Sequence, residues 1–142
     1  MSEQSDINAI NRQVIAQFRA NGGNVLEGRF AGTKLLLLTT RGAKTGQTRV
    51  NPMMYFMSGD RHVVFASHRG AHTSPDWYHN LVAHPDVVVE VGGESFAAKA
   101  VLTKGEERES VWQDALRLHP FLADHQAGTK REIPVILLQR LT

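Results

Sequence analysis

No cysteine occurs in the 142 residues. That excludes disulfides, a thiolate nucleophile and cysteine metal sites, and it suits a reducing compartment. Aromatic residues make up only 7% of the chain and the formal charge is +2. Both are meagre for a nucleic-acid module, which needs stacking platforms and a strong basic surface. No apolar run is long enough to span a bilayer. The opening stretch, MSEQSDINAINRQ, has no apolar signal core, so a cytoplasmic location is expected, with contact to a membrane surface left open. No serine sits in a G-x-S-x-G elbow, and no HExxH pair or close pair of carboxylates appears. His62, His68, His72, His79 and His84 fall close together, but their spacing does not put them on one helix face, and no metal site is expected. Such a chain fits an enzyme whose cofactor carries the difficult step. A single domain of this length buries roughly two thirds of its unfolded surface and needs no covalent staple.

What is present reads as a mixed α/β domain. Ile7, Ile10, Val14, Ile15 and Phe18 recur at helical spacing behind Asp6, a plausible N-cap, and NGGN (21–24) stops that helix. KLLLLTT is apolar without alternation, which predicts a strand buried on both faces. RVNPMMYFM is a second strand in which Pro52 demands an edge or a bulge. The turn SGD (58–60) makes it a hairpin with RHVVFAS. SPDWYHNLVAH predicts a helix with Ser74 as N-cap, Pro75 at the first helical position and Asp76 in the first turn. PDVVVEV and ESFAAKAVLT form a hairpin across a Gly-Gly turn. Thr103 and Glu106 pair as a capping box for a helix to about Leu118, and IPVILLQRL is the last strand. Strands in hairpins with few helices predict a small, mostly antiparallel α+β barrel with flanking helices, not a doubly wound sheet. Such a barrel holds one ligand against its wall or at its mouth.

Between the first two strands lies RGAKTGQTRVNP, which packs Arg41, Lys44 and Arg49 around Gly42 and Gly46. Glycine-rich turns expose backbone N–H groups, and cations beside them suit phosphate or carboxylate. The order is not that of a P-loop. On the residues alone, a solvated turn with incidental charges explains the stretch equally well.

LLLLTTRGAKTGQTRVNPMMYF, VVFASHRG, SPDWYHNLVAHPDVVVEV and REIPVILLQR together resemble the deazaflavin-dependent nitroreductase family, split β-barrel reductases that use reduced coenzyme F-420. The resemblance runs from about Gly32 to Leu141. It implies one domain over residues 1–142, with an N-terminal helix in 1–22 and a split barrel in 32–142. It also implies that Lys44, Thr45, Gln47 and Arg49, with backbone N–H groups near Gly46, hold the cofactor's phosphodiester and acidic tail. Pro52 and Met54 would lie beside the ring system, and Ala66, Ser67 and His68 would line its pocket. Trp77, Tyr78 and Asn80 match a W-Y-x-N element that borders the cofactor. Ser67 would polarise the acceptor, and His119, Leu122 and His125, with Met54, would surround it where many relatives carry tyrosines.

The activity implied is hydride transfer from reduced F-420 to an electron-poor small molecule: an enone, unsaturated lactone, quinone or nitroaromatic. An FMN-dependent barrel oxidoreductase, or a barrel that binds deazaflavin or lipid without turnover, is the alternative. Bland roles exist beside these. Trp77 could be a core aromatic, Asn80 a loop brace, and Met53, Met54 or Met57 core gap-fillers.

Overall fold

The computed structural model describes residues 3–28, 31–66 and 75–141. The elements run α1 (Glu3–Ala20), β1 (Leu35–Arg41), β2 (Thr48–Met54), β3 (Phe56–Ser58), β4 (Arg61–Phe65), α2 (Asp76–Ala83), β5 (Asp86–Val91), β6 (Glu94–Leu102), α3 (Gly105–Leu118), α4 (Phe121–Ala127) and β7 (Val135–Arg140). Seven strands form one sheet in the order β2-β1-β5-β6-β7-β4-β3, and every pairing is antiparallel.

Closure follows from that order. β2 and β3 lie at opposite ends of the sheet, yet Tyr55 alone separates them. Two Cα steps span less than about 8 Å, so the sheet has to curl until its two edges meet at Tyr55. RVNPMMYFM is therefore two strands, not one. Its first part pairs with β1, and only Phe56–Ser58 forms the expected hairpin with β4. Pro52 sits in the edge strand β2, opposite Leu37, where a missing ladder donor is tolerated.

The unbroken apolarity of β1 has the predicted consequence. Leu36 and Leu38 point into the barrel, where they join Val64, Val89, Ala98 and Leu138. Leu35 and Leu37 point outward, beneath Val14 and Phe18 of α1 and beside Val25. α3 and α4 cover a different stretch of the outer wall, packing Val111, Trp112, Ala115 and Leu122 on Val63 and Leu137. Full burial of one Leu or Val contributes about 1.5–3 kcal/mol, so a strand buried on both sides anchors the fold.

Several local expectations are corrected. α1 begins at Glu3, upstream of Asp6; Ile10 is exposed and Ile15 only half-buried. Pro75 is the N-cap of α2 rather than its first helical residue, and Ser74 lies outside the described residues. The capping box does not form. Lys104 is the N-cap of α3, and the Thr103 hydroxyl instead donates to the Val135 carbonyl at 2.8 Å, tying the end of β6 to β7. A buried hydroxyl takes the strongest acceptor in reach, and here the sheet supplies it.

α1 is fastened at its C-terminal end. Arg19 makes a two-pronged contact with Glu90 of β5, at 3.0 and 2.8 Å, and Glu90 raises the pKa of that guanidinium. Gly23 follows at φ +95°, so close to Gly92 of the β5–β6 turn that a Cβ would lie 2.5 Å from its Cα. Only glycine fits there.

Candidate functional site

The six-residue turn 42–47 joins Arg41 to Thr48 and is braced from inside. The Gly42 N–H donates to the Gln47 carbonyl at 2.7 Å, and the Gly46 N–H donates to the Gly42 carbonyl at 2.9 Å. The Gln47 N–H donates to the Thr45 hydroxyl oxygen at 3.2 Å. Gly46 has φ +73°, which explains the glycine. A side chain at Gly42 would meet the Thr45 oxygen at 2.8 Å, so the turn closes tightly only around a bare backbone.

The second brace comes from α2. Asn80 Oδ1 accepts the Ala43 N–H at 3.0 Å, and Asn80 Nδ2 donates to the Thr40 hydroxyl at 3.3 Å. Asn80 is 9% exposed and Thr40 1%, so both depend on each other for partners. The W-Y-x-N element thereby fixes the shape of the basic turn, and Asn80 acts as a brace within the protein itself. Trp77 and Tyr78 are half-buried and pack against the barrel's inner core.

Once these bonds are made, the turn still has free donors. Among the described residues, the N–H groups of Lys44 and Thr45 have no partner, whereas the Gly46 N–H, expected to face an anion, is used inside the turn. Arg41, Lys44 and Arg49 are exposed, and among the described residues none meets a carboxylate. Among the described residues, the one hydrogen bond of the Arg49 side chain goes to Gln47 Oε1, at 3.4 Å. Three cations and two N–H groups without an internal anion make a surface for an external one.

At the other end of β2, roughly 17 Å from Arg49 by strand rise, a cleft of about 370 Å³ is lined by Thr33, Lys34, Met54, Tyr55, Phe56, Met57 and His119. A smaller recess beside it adds Phe65, Phe121 and Leu122. The cleft lies on the seam where the sheet closes. β3 pairs with β4 only as far as Val63, and beyond that point Phe65 of β4 lines the recess together with Met54 of β2. His119, Phe121 and His125 form a ladder of tilted rings at 5.6 and 5.3 Å, with Phe56 edge-on to His119 at 6.5 Å. The floor residue Tyr55 rests on His62 at 5.3 Å, and His62 rests on Phe96 at 5.6 Å. Burial lowers the pKa of His62; Glu94 opposes that shift and Arg140 adds to it.

The expected site residues thus divide into two groups. Lys44, Thr45, Gly46, Gln47 and Arg49 come together in the turn, with Asn80 behind it. Met54, His119 and Leu122 come together at the cleft, and His125 is one ring further out with its Nδ1 buried and, among the described residues, without a hydrogen-bond partner. Pro52 lies between the two groups on β2. Ala66 is fully buried in the inner core and offers no side-chain surface to a ligand. Ser67 and His68 lie outside the described residues. Among the described residues, no group of three or more His, Asp or Glu side chains is placed to hold a metal ion.

Thr33, Lys34, Tyr55, Phe56 and Phe65 were missed by sequence reasoning. Lys34 opens KLLLLTT and reads there only as the edge of a strand. Tyr55 becomes conspicuous only when the edge switch is known.

The family model described as F-420H2-dependent quinone reductase matches residues 10–140. An F-420H2-dependent quinone reductase of Mycobacterium tuberculosis is 40% identical over 112 residues, covering 74% of this chain and 72% of its own. Among solved structures, an F-420-H2 dependent reductase, FDR-A, superposes with a TM-score of 0.68 at 36% identity, over 74% of this chain and 93% of that one. A chain described as a domain-swapped dimer superposes with a TM-score of 0.70 at 30% identity, over 97% of this chain and all of its own.

Proposed function

The chain belongs to the F-420H2-dependent quinone reductase family and is an F-420H2-dependent oxidoreductase; from that premise we propose that it reduces quinones, with planar enones and unsaturated lactones as secondary acceptors and nitroaromatics the poorest. The observation that carries this reading is the pairing of two sites along β2: an anion-ready turn at one end and an aromatic-walled cleft at the other.

The residues fit the cofactor. Its phosphodiester and acidic tail call for cations not already paired with a carboxylate, and among the described residues Arg41, Lys44 and Arg49 are such cations. Lys44 and Arg49 would hold the tail, helped by the N–H groups of Lys44 and Thr45. Gln47 orients Arg49, and Asn80 fixes the turn. Pro52 and Met54 would lie beside the ring system, with Ser67, His68, Trp77 and Tyr78 completing its surroundings.

When bound, the reduced cofactor supplies a hydride from ring carbon 5. The protein's part is positioning and exclusion of water. Met54, Tyr55 and Phe56 give the cleft an apolar floor on which a flat acceptor can lie, and Phe121 and Leu122 close the neighbouring recess. Fixing donor and acceptor in register can supply about 7–11 kcal/mol of the barrier reduction. The Ser67 hydroxyl would polarise the acceptor oxygen as negative charge gathers there. The His119 imidazole lines the cleft and can pass on the proton that completes reduction.

The test is turnover of the protein loaded with reduced F-420 against a 1,4-naphthoquinone, a cyclic enone, an unsaturated lactone and a bicyclic nitroimidazole, followed by the deazaflavin absorbance. F-420 and FMN are titrated side by side first. Faster oxidation by the quinone than by the other three is expected. Quinones that leave the reduced cofactor untouched while a nitroimidazole oxidises it would overturn the reading.

A further inference from the structure

One charged residue of the cleft has no place in the reaction as set out above. Lys34, the residue just before β1, lines the cleft with Thr33 and His119, and the remaining lining is Met54, Tyr55, Phe56 and Met57. It is exposed, and among the described residues it meets no carboxylate. An ammonium at the rim of an otherwise apolar and aromatic cleft attracts an anion that the floor itself would reject.

Lys34 is also remote from the other cations. β1 separates it from Arg41, and seven residues of strand span roughly 23 Å. Lys34 faces the cleft that takes the acceptor, while Arg41, Lys44 and Arg49 surround the turn at the opposite end of the same hairpin. The β1–β2 hairpin therefore carries positive charge at both ends with an apolar stretch between.

We propose that Lys34 is a specificity-determining residue and that the preferred acceptors carry, besides their electrophilic ring, a separate anionic group such as a carboxylate on a short side chain. The proposal rests on the quinone reading above. The ring lies on the Met54–Met57 floor and the anion reaches Lys34, with the Thr33 hydroxyl as a second donor. Nothing in the redox step changes: the anionic group binds and orients, and it neither gains nor loses electrons.

The experiment compares a 1,4-naphthoquinone bearing a short carboxylate side chain with its methyl ester. The ring is the same in both and only the charge differs. Each is titrated into the protein loaded with oxidised F-420, where no turnover occurs, and dissociation constants are measured in low salt for wild type, Lys34→Met, Lys34→Arg and Lys99→Met. Wild type is expected to bind the acid roughly three- to tenfold more tightly than the ester, the range of a partly exposed ion pair. Lys34→Met should abolish that ratio while leaving ester affinity unchanged, Lys34→Arg should keep it, and Lys99→Met, which removes an exposed cation of β6 outside the cleft, should not alter it. Added salt should shrink the wild-type ratio. Equal affinities for acid and ester in wild type would overturn the proposal, as would a ratio that survives Lys34→Met. A loss of F-420 affinity in Lys34→Met would also overturn it, by assigning Lys34 to the cofactor. Failure of both probes to accept hydride from the reduced cofactor would instead count against the quinone reading, and turnover is measured separately for that reason.

Discussion

The side-chain oxygen of Asn80 accepts a hydrogen bond from the backbone N–H of Ala43 at 3.0 Å. A residue of α2 thereby holds the conformation of a turn 37 positions earlier, the turn that carries Lys44. Removing that amide should have two linked effects. Asn80→Ala strands the Ala43 N–H and removes a partner of the buried Thr40 hydroxyl, which should cost about 1–3 kcal/mol of stability, or a fall in Tm of about 3–9 °C. F-420 affinity should fall with it. Asn80→Asp keeps the acceptor for Ala43 and should recover most of both. Calorimetric unfolding and cofactor titration check this. Lost affinity with an unchanged Tm would mean that Asn80 touches the cofactor directly and does not act as a brace.

Lys44→Ala and Arg49→Ala should each weaken F-420 binding while the fold stays intact, since neither side chain is buried. An exposed charge contact contributes about 1 kcal/mol, roughly fivefold in Kd. Raising the salt concentration should weaken wild-type binding and narrow its advantage over both variants. Fluorescence titration of the deazaflavin at two ionic strengths measures this, and equal low-salt affinities would remove the turn from the site.

His119 and His125 stand on either side of Phe121 and bring imidazoles to the acceptor side of the cleft. A proton passed on by His119 in the rate-limiting step makes acceptor turnover depend on pH, which is followed from about pH 5 to 8. His119→Phe should alter the profile more than His125→Phe, because His119 lines the cleft. F-420 affinity should be little changed in either variant. Initial rates across this pH range decide the matter, and superimposable profiles would confine both histidines to packing.

His62 makes stability fall on acidification. Its pKa in the folded protein lies below the ordinary value of 6.5, because burial disfavours the imidazolium. The unfolded chain therefore binds the proton first, and stability present at higher pH is lost as pH falls through about 6.5 towards the lower folded value. The groups facing His62 pull both ways, with Glu94 favouring the charged form and Arg140 opposing it. In His62→Gln the difference in unfolding free energy between pH 7.5 and 5.5 should be smaller than in wild type. Urea titrations at the two pH values measure it, and identical differences would show that protonation of His62 is not coupled to folding.

Much of this protein is legible along the chain because its causes are local. Four leucines without alternation determine that β1 is buried on both faces. A Gly-Gly pair between alternating runs determines the β5–β6 hairpin. Clustered cations among glycines mark the turn as unusual, and the companion W-Y-x-N element makes the family resemblance specific. Other features depend on which distant surfaces meet. The sequence run that contains Tyr55 looks like one strand, because nothing local reveals that its halves pair with β1 and β4 at opposite edges of a sheet that then closes. Thr103 looks like a cap until β7 offers it a carbonyl. Asn80 reads as either a ligand to the cofactor or a loop brace, and only the fold shows its amide engaged with Ala43 and Thr40. Lys34 looks like a strand end until barrel closure brings it to one cleft with Met57 and His119. Periodicity, turn chemistry and charge act over a few residues and can be read from sequence, whereas the partners of a buried polar group and the walls of a cleft are set by long-range closure, which the tertiary structure alone decides.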